Sequence, residues 1–414
     1  MPILVMKFGG TSVANIERIR NVASKVKREV EAGNQVAVVV SAMSGVTNQL
    51  VDWVREVSPL SNKRQNQEYD AVVATGEQVT SGLLALVLQG MGVPARSWQG
   101  WQIPLKTNDA YGKARIEHIE SGPIQDAFKA GEVAVVAGFQ GIGPDGRIAT
   151  LGRGGSDTSA VAIAAALQAE RCDIYTDVDG VYTCDPRIVT KAKKLNKVTY
   201  EEMLEMASQG AKVLQTRSVE MAMNHKVRVQ VLSSFVDQTG ANLPGTLLVD
   251  EDEIMEQTRI TGIAYSRDEA RITLAEVPNK PGVAAAIFGP LAKADINVDM
   301  IVQNVTEDGK ATDMTFTVPK ADLANATKVI EDSRATLEYK KLHTDANVAK
   351  VSIIGVGMRS HAGIAQEMFK VLGEKGINIQ VISTSEIKIS VLIAEEYTEL
   401  ALRALHTAFG LDAQ

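Results

Sequence analysis

The stretch Thr150-Leu-Gly-Arg-Gly-Gly-Ser-Asp-Thr-Ser159 precedes an alanine-rich run over residues 160–169. Its glycines allow a left-handed backbone and a close approach to a ligand. Ser156 or Asp157 is predicted to cap the helix that the alanine-rich run forms. The free N–H groups of that helix start, its positive dipole end and the planar cation of Arg153 together predict an anion-binding site. An ordinary loop before a buried helix is the alternative interpretation.

The composition limits the class of protein. The chain has 414 residues, of which 45% are hydrophobic and 22% are charged, and this length predicts about two to four globular domains. A net charge of −7 argues against a sequence-independent grip on nucleic acid. No apolar run is expected to reach the length of a membrane span, and residues 1–7 do not resemble a signal peptide. We therefore expect neither a nucleic acid nor a membrane as a partner.

The chain has two cysteines, Cys172 and Cys184, and they lack CxxC spacing. This usage disfavours a disulfide scaffold and a zinc site, and it predicts a reducing, cytoplasmic location. Cys172 lies in an apolar segment and is expected in the core.

Short apolar segments alternate with helical patterns up to residue 249. Strands are predicted at 3–6, 36–40, 133–137, 172–176 and 227–232, and an amphipathic helix at about 15–32. Near-continuous apolar strands separated by helices predict an α/β fold, a three-layer sandwich with a mainly parallel sheet covered on both faces. Ligands of such sheets bind beyond the carboxyl ends of the strands, where segments rich in Gly, Ser, Thr and Asp follow here.

An internal repeat follows the acidic stretch at 250–253. Residues 281–301 align without gaps with residues 362–382. Each copy follows a short strand, starts a helix after a glycine and continues into a strand expected to begin at an Ile-Asn pair, 296–297 or 377–378. This order of elements predicts two ferredoxin-like α+β modules that could hold a small zwitterion. Two purely structural modules are the alternative.

The segment Gly141-Ile-Gly-Pro-Asp-Gly146 matches the GxGxxG pattern of dinucleotide sites. Such a motif must open a helix. The Pro-Asp-Gly sequence is a turn signal instead, so we predict a hairpin here. The sequence also lacks a Walker A motif, so any ATP site in this chain does not use a P-loop.

Two further segments could contribute charge to a phosphoryl-transfer site. Lys7 precedes Gly9 and Gly10 at a strand end, where a lysine and backbone N–H groups could stabilise a transferring phosphoryl group. Lys212 is a second lysine that could reach a phosphate. A plain turn at Gly9 and Gly10 is the alternative.

The segments around Glu77 and Thr176 add candidate ligand contacts. Glu77 precedes an apolar helix, where an acid favoured by the helix dipole is the alternative explanation. In the unusual stretch 176–187, Tyr182 could cover a planar base and Arg187 could meet phosphates.

Five segments resemble the signatures of the aspartokinases of the amino-acid-kinase superfamily. They are Lys7-Phe-Gly-Gly-Thr-Ser12, Ser41-Ala-Met-Ser-Gly-Val-Thr47-Asn, Ala74-Thr-Gly-Glu77, Gly152-Arg-Gly-Gly-Ser-Asp157-Thr and Thr176-Asp-Val-Asp-Gly-Val-Tyr-Thr-Cys-Asp-Pro-Arg187. The C-terminal repeat resembles the paired ACT domains of monofunctional, feedback-inhibited members. The resemblance implies a catalytic domain over 1–249, a linker over 250–264 and ACT domains over 265–343 and 344–414, and it leaves open whether the ACT domains exchange strands.

The resemblance also implies an activity and its residues. ATP and L-aspartate would give ADP and 4-phospho-L-aspartate, the first step toward lysine, threonine, methionine and diaminopimelate. Lys7, Asp157 and Lys212 would be catalytic, with Asp157 orienting the two lysines. Arg153 would bind the α-carboxylate of aspartate and Glu77 its ammonium, and the same substrate pocket would include Ser41, Thr47, Gly154 and Ser156. The nucleotide would contact Lys7, Gly9, Gly10, Thr176, Asp177, Tyr182, Arg187 and Lys212. Mg²⁺ would arrive with ATP and keep several waters, so no metal ligands are assigned.

Regulation is implied by the ACT resemblance. Lysine, threonine or both would bind between ACT modules and inhibit the enzyme, at Asn279, Gly282, Val283, Ala284, Asn297, Asp299 and Gln303 and at Gly363, Ile364, Asn378 and Ile379. The expected assembly is a homo-oligomer, either a dimer through the ACT domains or an α2β2 complex with a short regulatory subunit started internally near Met255-Glu256.

Two other functions remain open at this stage. The first is a kinase for another carboxylate, such as glutamate or N-acetylglutamate, although Glu77 favours a free ammonium. The second is a catalytically silent amino-acid sensor, which would have no need of Lys7, Asp157 and Lys212.

Overall fold

The computed structural model describes residues 1–211, 213–236, 245–254 and 259–412. These residues form two compact units. The first unit comprises residues 1–181, 194–207 and 212–255, and the second comprises residues 182–193, 208–211 and 256–414, in each case where described.

The first unit is built on an eight-stranded sheet with the strand order β10-β12-β11-β9-β1-β2-β6-β3. Among its pairs only β11 with β12 is antiparallel, as predicted for a mainly parallel sheet. A smaller sheet has the order β5-β4-β7-β8. The strands are β1 Ile3–Phe8, β2 Gln35–Val40, β3 Ala95–Trp98, β4 Leu105–Thr107, β5 Ile116–Ile119, β6 Val133–Ala137, β7 Gln140–Ile142, β8 Ile148–Thr150, β9 Arg171–Thr176, β10 Lys197–Thr199, β11 Val229–Ser233 and β12 Thr246–Val249.

Helices cover both faces of the large sheet. Met6 and Phe8 of β1 pack in one core with residues of α1 and α4, whereas Lys7 reaches α6, because successive side chains of a strand point to opposite faces. This arrangement confirms the predicted three-layer sandwich. The helices are α1 Ile16–Glu31, α2 Val46–Val57, α3 Lys63–Val73, α4 Thr75–Gly90, α5 Gly122–Lys129, α6 Gly155–Leu167, α7 Tyr200–Ser208 and α8 Thr216–His225.

The hairpin predicted at 141–146 is present, so this GxGxxG match does not open a helix. β7 pairs antiparallel with β8. The N–H of Gly143 donates to the carbonyl of Arg147 over 2.8 Å. Gly146 adopts a φ of 77°, which a glycine accommodates without strain.

One expectation about apolar length was wrong. Taken together, α3 and α4 form a helical stretch over 63–90 that is long and apolar enough to cross a membrane by length and composition. Half of its most apolar window is buried inside the protein, and Leu84 and Leu88 pack in the core of the first unit. A buried core helix passes the same test, and we interpret this stretch as one.

The second unit contains one six-stranded antiparallel sheet with the order β14-β15-β13-β16-β18-β17. Its elements are β13 Gly262–Pro278, α9 Val283–Lys293, β14 Asp299–Val305, β15 Ala311–Val318, α10 Leu323–Asp332, α11 Arg334–Leu337, β16 Lys341–Ile354, α12 Ile364–Glu374, β17 Val381–Thr384, β18 Lys388–Ala394 and α13 Thr398–Ala408. Two large hydrophobic cores lie on this sheet, one for each copy of the repeat, and a smaller cluster is formed by Met300, Val348, Val381 and Leu392.

The repeat is visible in the backbone. Gly282 and Gly363 cap α9 and α12 with nearly identical left-handed conformations, φ of 89° and 90°. The strands expected to begin at the Ile-Asn pairs start later, at Asp299 and Val381. Asn297 and Asn378 therefore lie in the loops that precede β14 and β17.

A segment from the middle of the chain, residues 182–193, belongs to the second unit. Cys184 and Val189 are buried in the same core as Leu405 of α13. The Thr183 hydroxyl lies 2.8 Å from Nε2 of the wholly buried His406, whose Nδ1 lies 2.8 Å from the Asp412 carboxylate. Apolar packing and the polar contacts from Thr183 through His406 to Asp412 thus hold this segment in place.

Candidate active site at the carboxyl edge of the parallel sheet

The carboxyl ends of four neighbouring strands meet at one edge of the large sheet. The N–H of Gly9 after β1 donates to Tyr175 of β9 over 3.2 Å, and the N–H of Ser41 after β2 donates to Phe8 over 3.1 Å. Gly138 after β6 donates in the same way to Val40 over 3.0 Å. These bonds continue the strand pairing into the loops and bring the candidate loops together.

Lys7 and Asp157 form an ion pair at this edge. Lys7 lies inside β1 rather than beyond its end, and Asp157 lies in the first turn of α6. Both side chains are largely buried, with 9% and 12% of their surfaces exposed. A Cβ added at Gly9 would lie 3.4 Å from the Lys7 ammonium, so the charge lies directly beside the glycine turn. The pair places a fixed cation next to backbone N–H groups, which suits a phosphoryl group.

The loop over 151–155 depends on its glycines. Gly152 and Gly154 adopt φ of 75° and 71°, and a Cβ at Gly154 would lie 2.0 Å from Cγ of Gln215. No residue with a side chain fits that position without displacing Gln215. The loop therefore needs glycine for both conformation and space.

The predicted cap of α6 was wrong. The helix begins at Gly155 with Gly154 as its N-cap, and no side chain caps it. Ser156 and Asp157 lie inside the first turn, because the left-handed Gly154 starts the helix earlier than a Ser or Asp cap would. The first N–H groups of α6 are consequently not satisfied by a capping side chain.

Arg153 and Ser156 differ in their exposure to solvent. Arg153 is exposed, and within the described part of the chain it forms no ion pair. Ser156 is buried against the end of β6, since a Cβ at Gly138 would lie 3.0 Å from its hydroxyl. The loop thus combines an accessible guanidinium with a buried hydroxyl group.

Glu77 is a buried acid with an incomplete set of partners. It is 3% exposed, and its Oε1 accepts the N–H of Ala42 over 3.0 Å. Its Oε2 is buried without a hydrogen-bond partner among the described residues. Burial raises the pKa of Glu77 to about 7. A buried carboxylate oxygen without a partner is costly and indicates a missing cation or donor.

The elements around Glu77 pack closely. A Cβ at Gly76 would lie 2.6 Å from the Cβ of Ala42, and one at Gly10 would lie 3.0 Å from the Ala42 carbonyl. Ser41, next to Ala42, and Thr47, in the first turn of α2, are both half-buried. The structure therefore connects Glu77 through Ala42 to the Lys7 turn and to Ser41.

Phe139 is a residue of this edge that sequence reasoning missed. It adopts a φ of 69°, which is uncommon for an aromatic residue and marks a constrained position. Its N–H donates to the Ser159 hydroxyl and its carbonyl accepts the N–H of Leu151. Its position in a Gly-Phe-Gln-Gly segment after a buried strand is the sequence signal that could have found it.

The stretch predicted as a nucleotide site is divided between the two units. Thr176 ends β9, and its hydroxyl donates to Asp177 over 3.1 Å in the first unit. Tyr182 and Arg187 belong to the second unit. The Arg187 guanidinium pairs with Asp185 over 2.7 Å and lowers the pKa of that carboxyl. Lys212 and the proposed internal start at Met255-Glu256 lie outside the described residues.

The predicted effector residues lie around the starts of α9 and α12, in the loops before β14 and β17, and on β14. In the first repeat, the amide of Asn279 donates to the Gly309 carbonyl, and Asp299 pairs with the buried Lys350 over 2.7 Å. In the second, Gly363 and Ile364 line a cavity of about 560 Å³. Asn378 and Ile379 are not among its lining residues. Val283 begins α9, followed by Ala284, and Gln303 lies on β14.

Models of known protein families match three successive parts of the chain. Residues 2–233 match the amino acid kinase family. Residues 271–335 and 351–409 each match the ACT domain.

Individual proteins match the whole chain. Aspartate kinase Ask_LysC of Stutzerimonas stutzeri is 56% identical over all of this chain and 98% of its own length. The E. coli aspartokinase III solved with aspartate and ADP, in its R-state, is 27% identical with a TM-score of 0.78, over 98% of this chain and 99% of that one. The same E. coli enzyme solved with lysine and aspartate, in its T-state, is 26% identical with a TM-score of 0.76, over the same shares.

Proposed function

The chain belongs to the aspartokinase family, with an amino acid kinase domain followed by two ACT domains, and from this premise we propose how it acts. It transfers the γ-phosphoryl group of ATP to the β-carboxylate of L-aspartate and forms 4-phospho-L-aspartate. That product begins the route to lysine, threonine, methionine and diaminopimelate. The observation that carries the substrate assignment is the buried Glu77 carboxylate, whose Oε2 lacks a partner among the described residues.

A two-ended clamp holds the backbone end of aspartate. Glu77 receives the ammonium, which would satisfy its free oxygen, and Arg153 receives the α-carboxylate through its exposed guanidinium. Ser41, Thr47, Gly154 and Ser156 complete the pocket. Clamping this end leaves the β-carboxylate as the nucleophile, so no protein nucleophile is needed. The E. coli relative solved with aspartate and ADP supports the same pair of ligands.

Phosphoryl transfer needs charge stabilisation more than covalent chemistry. A β-carboxylate oxygen of aspartate attacks the γ-phosphorus, and the bond from that phosphorus to the bridging oxygen of ADP breaks. No proton is transferred. Lys7 neutralises charge on the phosphoryl oxygens while Asp157 fixes its ammonium, and Lys212 serves as the second cation. The N–H groups at Gly9 and Gly10 add donors at the same turn.

The nucleotide lies beside Thr176, Asp177, Tyr182 and Arg187. Within the described residues no cluster of three or more His, Cys, Asp or Glu could hold a metal ion. We propose that a Mg²⁺ ion would arrive with ATP, keep several of its waters and neutralise phosphate charge.

Lysine, threonine or both regulate the enzyme through the ACT repeats. The E. coli relative solved with lysine supports the first effector. The effector sites lie at the equivalent positions of Gly282 and Gly363. The first site also includes Asn279, Val283, Ala284, Asn297, Asp299 and Gln303, and the second includes Ile364, Asn378 and Ile379. We place the domain limits at 1–249, 250–264, 265–343 and 344–414. The protein acts in the cytoplasm as a homo-oligomer, through ACT pairing or with a short regulatory subunit.

One assay separates this function from its alternatives. The purified protein is incubated with ATP, Mg²⁺ and hydroxylamine, which traps an acyl phosphate as a hydroxamate. We expect hydroxamate with aspartate and none with glutamate or N-acetylglutamate. Product with either of those substrates would assign a different carboxylate kinase. Absence of product with all three substrates, together with lysine or threonine binding by calorimetry, would instead identify a sensor.

A further inference from the structure

Asp70 is a wholly buried acid in the last turns of α3, outside every motif discussed above. Its two carboxylate oxygens accept the N–H of Gly112 over 3.0 and 2.9 Å. The Oδ2 atom also accepts the N–H of Thr150 over 2.9 Å, and Oδ1 accepts the Thr150 hydroxyl. One side chain thus holds three donors from two loops that are distant in sequence.

The Asp70 side chain holds the base of one end of the proposed aspartate clamp, and the main chain of its helix leads to the other end. Thr150 ends β8 and leads directly into the loop that carries Arg153. On the other side, the N–H of Ala74 donates to the Asp70 carbonyl over 3.1 Å, and Ala74 precedes α4, which carries Glu77. Asp70 therefore connects the start of the Glu77 helix with the base of the Arg153 loop.

A second contact shows that this loop base is held rather than free. The Arg217 guanidinium of α8 donates to the carbonyls of Leu151 and Ala114. Ala114 in turn donates its N–H to the Thr150 carbonyl over 2.9 Å. The base of the loop is thus fixed from both sides, while Arg153 at its tip remains exposed.

The carboxyl group of Asp70 is needed for its hydrogen bonds and not only for packing. Burial raises the pKa of Asp70, and the hydrogen bonds from Thr150 and Gly112 oppose that rise. A buried carboxylate is costly unless donors satisfy it. Only an acid accepts all of these donors, because an amide would turn an N–H group toward the N–H groups of Gly112 or Thr150. A carboxyl group at position 70 therefore matches a requirement to hold Gly112 and Thr150 together rather than only to fill space.

We propose that Asp70 is a positioning residue for aspartate, which fixes the Arg153 loop relative to Glu77 without touching the substrate. This inference rests on the proposed clamp of Arg153 and Glu77. It implies that the loss of Asp70 weakens aspartate binding through Arg153, and that ATP binding is spared.

Steady-state kinetics of Asp70→Asn, Arg153→Ala and the double variant test the proposal. We expect Asp70→Asn to raise the aspartate KM about tenfold or more while the ATP KM changes less than about twofold. In the Arg153→Ala background, Asp70→Asn should add less than about twofold, since the residue acts through Arg153. Asp173→Asn, at another wholly buried acid of the same unit, is the matched control and should not separate the two KM values.

The outcomes distinguish this proposal from the clamp itself. Equal rises in both KM values, or a full tenfold effect retained in the Arg153→Ala background, would make Asp70 merely structural. An unchanged aspartate KM in Arg153→Ala alone would remove the clamp and this proposal with it. If Asp70→Asn does not fold, Thr150→Val removes the hydroxyl bond and keeps both N–H donors. It should raise the aspartate KM alone by about threefold, and no change would overturn the proposal.

Discussion

The carboxylate of Glu77 accepts the backbone N–H of Ala42 over 3.0 Å with one oxygen and keeps the other buried and unsatisfied by the described residues. The acid is thus oriented by the loop after β2 but not neutralised by it. This relationship is expected to make Glu77 sensitive to pH and to substitution.

The aspartate KM should depend on pH through Glu77. Burial raises the pKa of Glu77 to about 7, and only the ionised form attracts an ammonium. Below pH 7 the aspartate KM should rise about tenfold per pH unit, and above pH 7 it should be flat. Initial rates between pH 5.5 and 8.5 measure this. Glu77→Gln should bind aspartate more weakly and show no break, and a flat profile in the unmodified enzyme would contradict the prediction.

Glu77→Gln should stabilise the substrate-free protein at alkaline pH. The folded pKa of about 7 lies above the ordinary value of 4.5, so the folded state holds the proton more tightly. Stability therefore falls as pH rises from about 4.5 to 7, and the full penalty is present above pH 7. Removing it should raise the free energy of unfolding by about 2–3 kcal/mol at pH 8 and by less than about 1 kcal/mol at pH 5. Urea unfolding at both values tests this, and an equal change at both would contradict it.

Arg153→Ala should act on aspartate alone. Arg153 is exposed at the tip of its loop, so its removal leaves the fold intact. Losing one partner of a charged contact should raise the aspartate KM by about a hundredfold with little change for ATP. Arg147→Ala, at a partly exposed arginine of the nearby hairpin that pairs with Glu68, is the control. Unchanged aspartate kinetics would remove Arg153 from the clamp.

Variants of the Lys7–Asp157 pair should change the stability and the activity of the protein differently. Lys7→Met leaves a buried carboxylate unpaired and should lower the free energy of unfolding by about 3–5 kcal/mol. Adding Asp157→Asn removes that charge and should restore part of the stability. Turnover should fall about a hundredfold or more in every variant that lacks Lys7. Restored activity in the double variant would show that Lys7 does not stabilise the transferring group.

Gly154→Ala and Gly146→Ala should differ although both residues have positive φ. Gly146 has open space around it, so alanine there should cost only about 1 kcal/mol of stability, with unchanged activity. Alanine at Gly154 also meets Gln215. It should cost about 2–3 kcal/mol and raise the aspartate KM. Thermal unfolding and kinetics of both variants measure this, and equal effects would show that the loop adapts.

Local signals were enough for the central strands, the first helix and one hairpin of the first unit. The first helix, predicted at about 15–32, spans 16–31, and the Asn15 side chain caps its start by accepting the backbone N–H of Arg18. The hairpin at 141–146 was predicted from the turn signal of its Pro-Asp-Gly sequence. These features are set by residues within a few positions of each other, so the sequence shows them directly.

Features set by distant partners were not predictable. The start of α6 depends on Gly154 fitting beside Gln215, which no local pattern reveals. Asp70 is an isolated acid in a helix, and its partners lie 42 and 80 residues away. Its part in the site became visible only once the loops of Gly112 and Thr150 were seen to meet at one carboxylate.

The chain passes between the two units five times, after residues 181, 193, 207, 211 and 255. A cut at residue 249 would therefore leave residues 182–193 without Leu405 and His406, which bury them. We therefore expect a kinase half cut at residue 249 to expose apolar side chains of this segment. Any recombination that exchanges one half for a foreign counterpart must carry matching versions of these short segments with it.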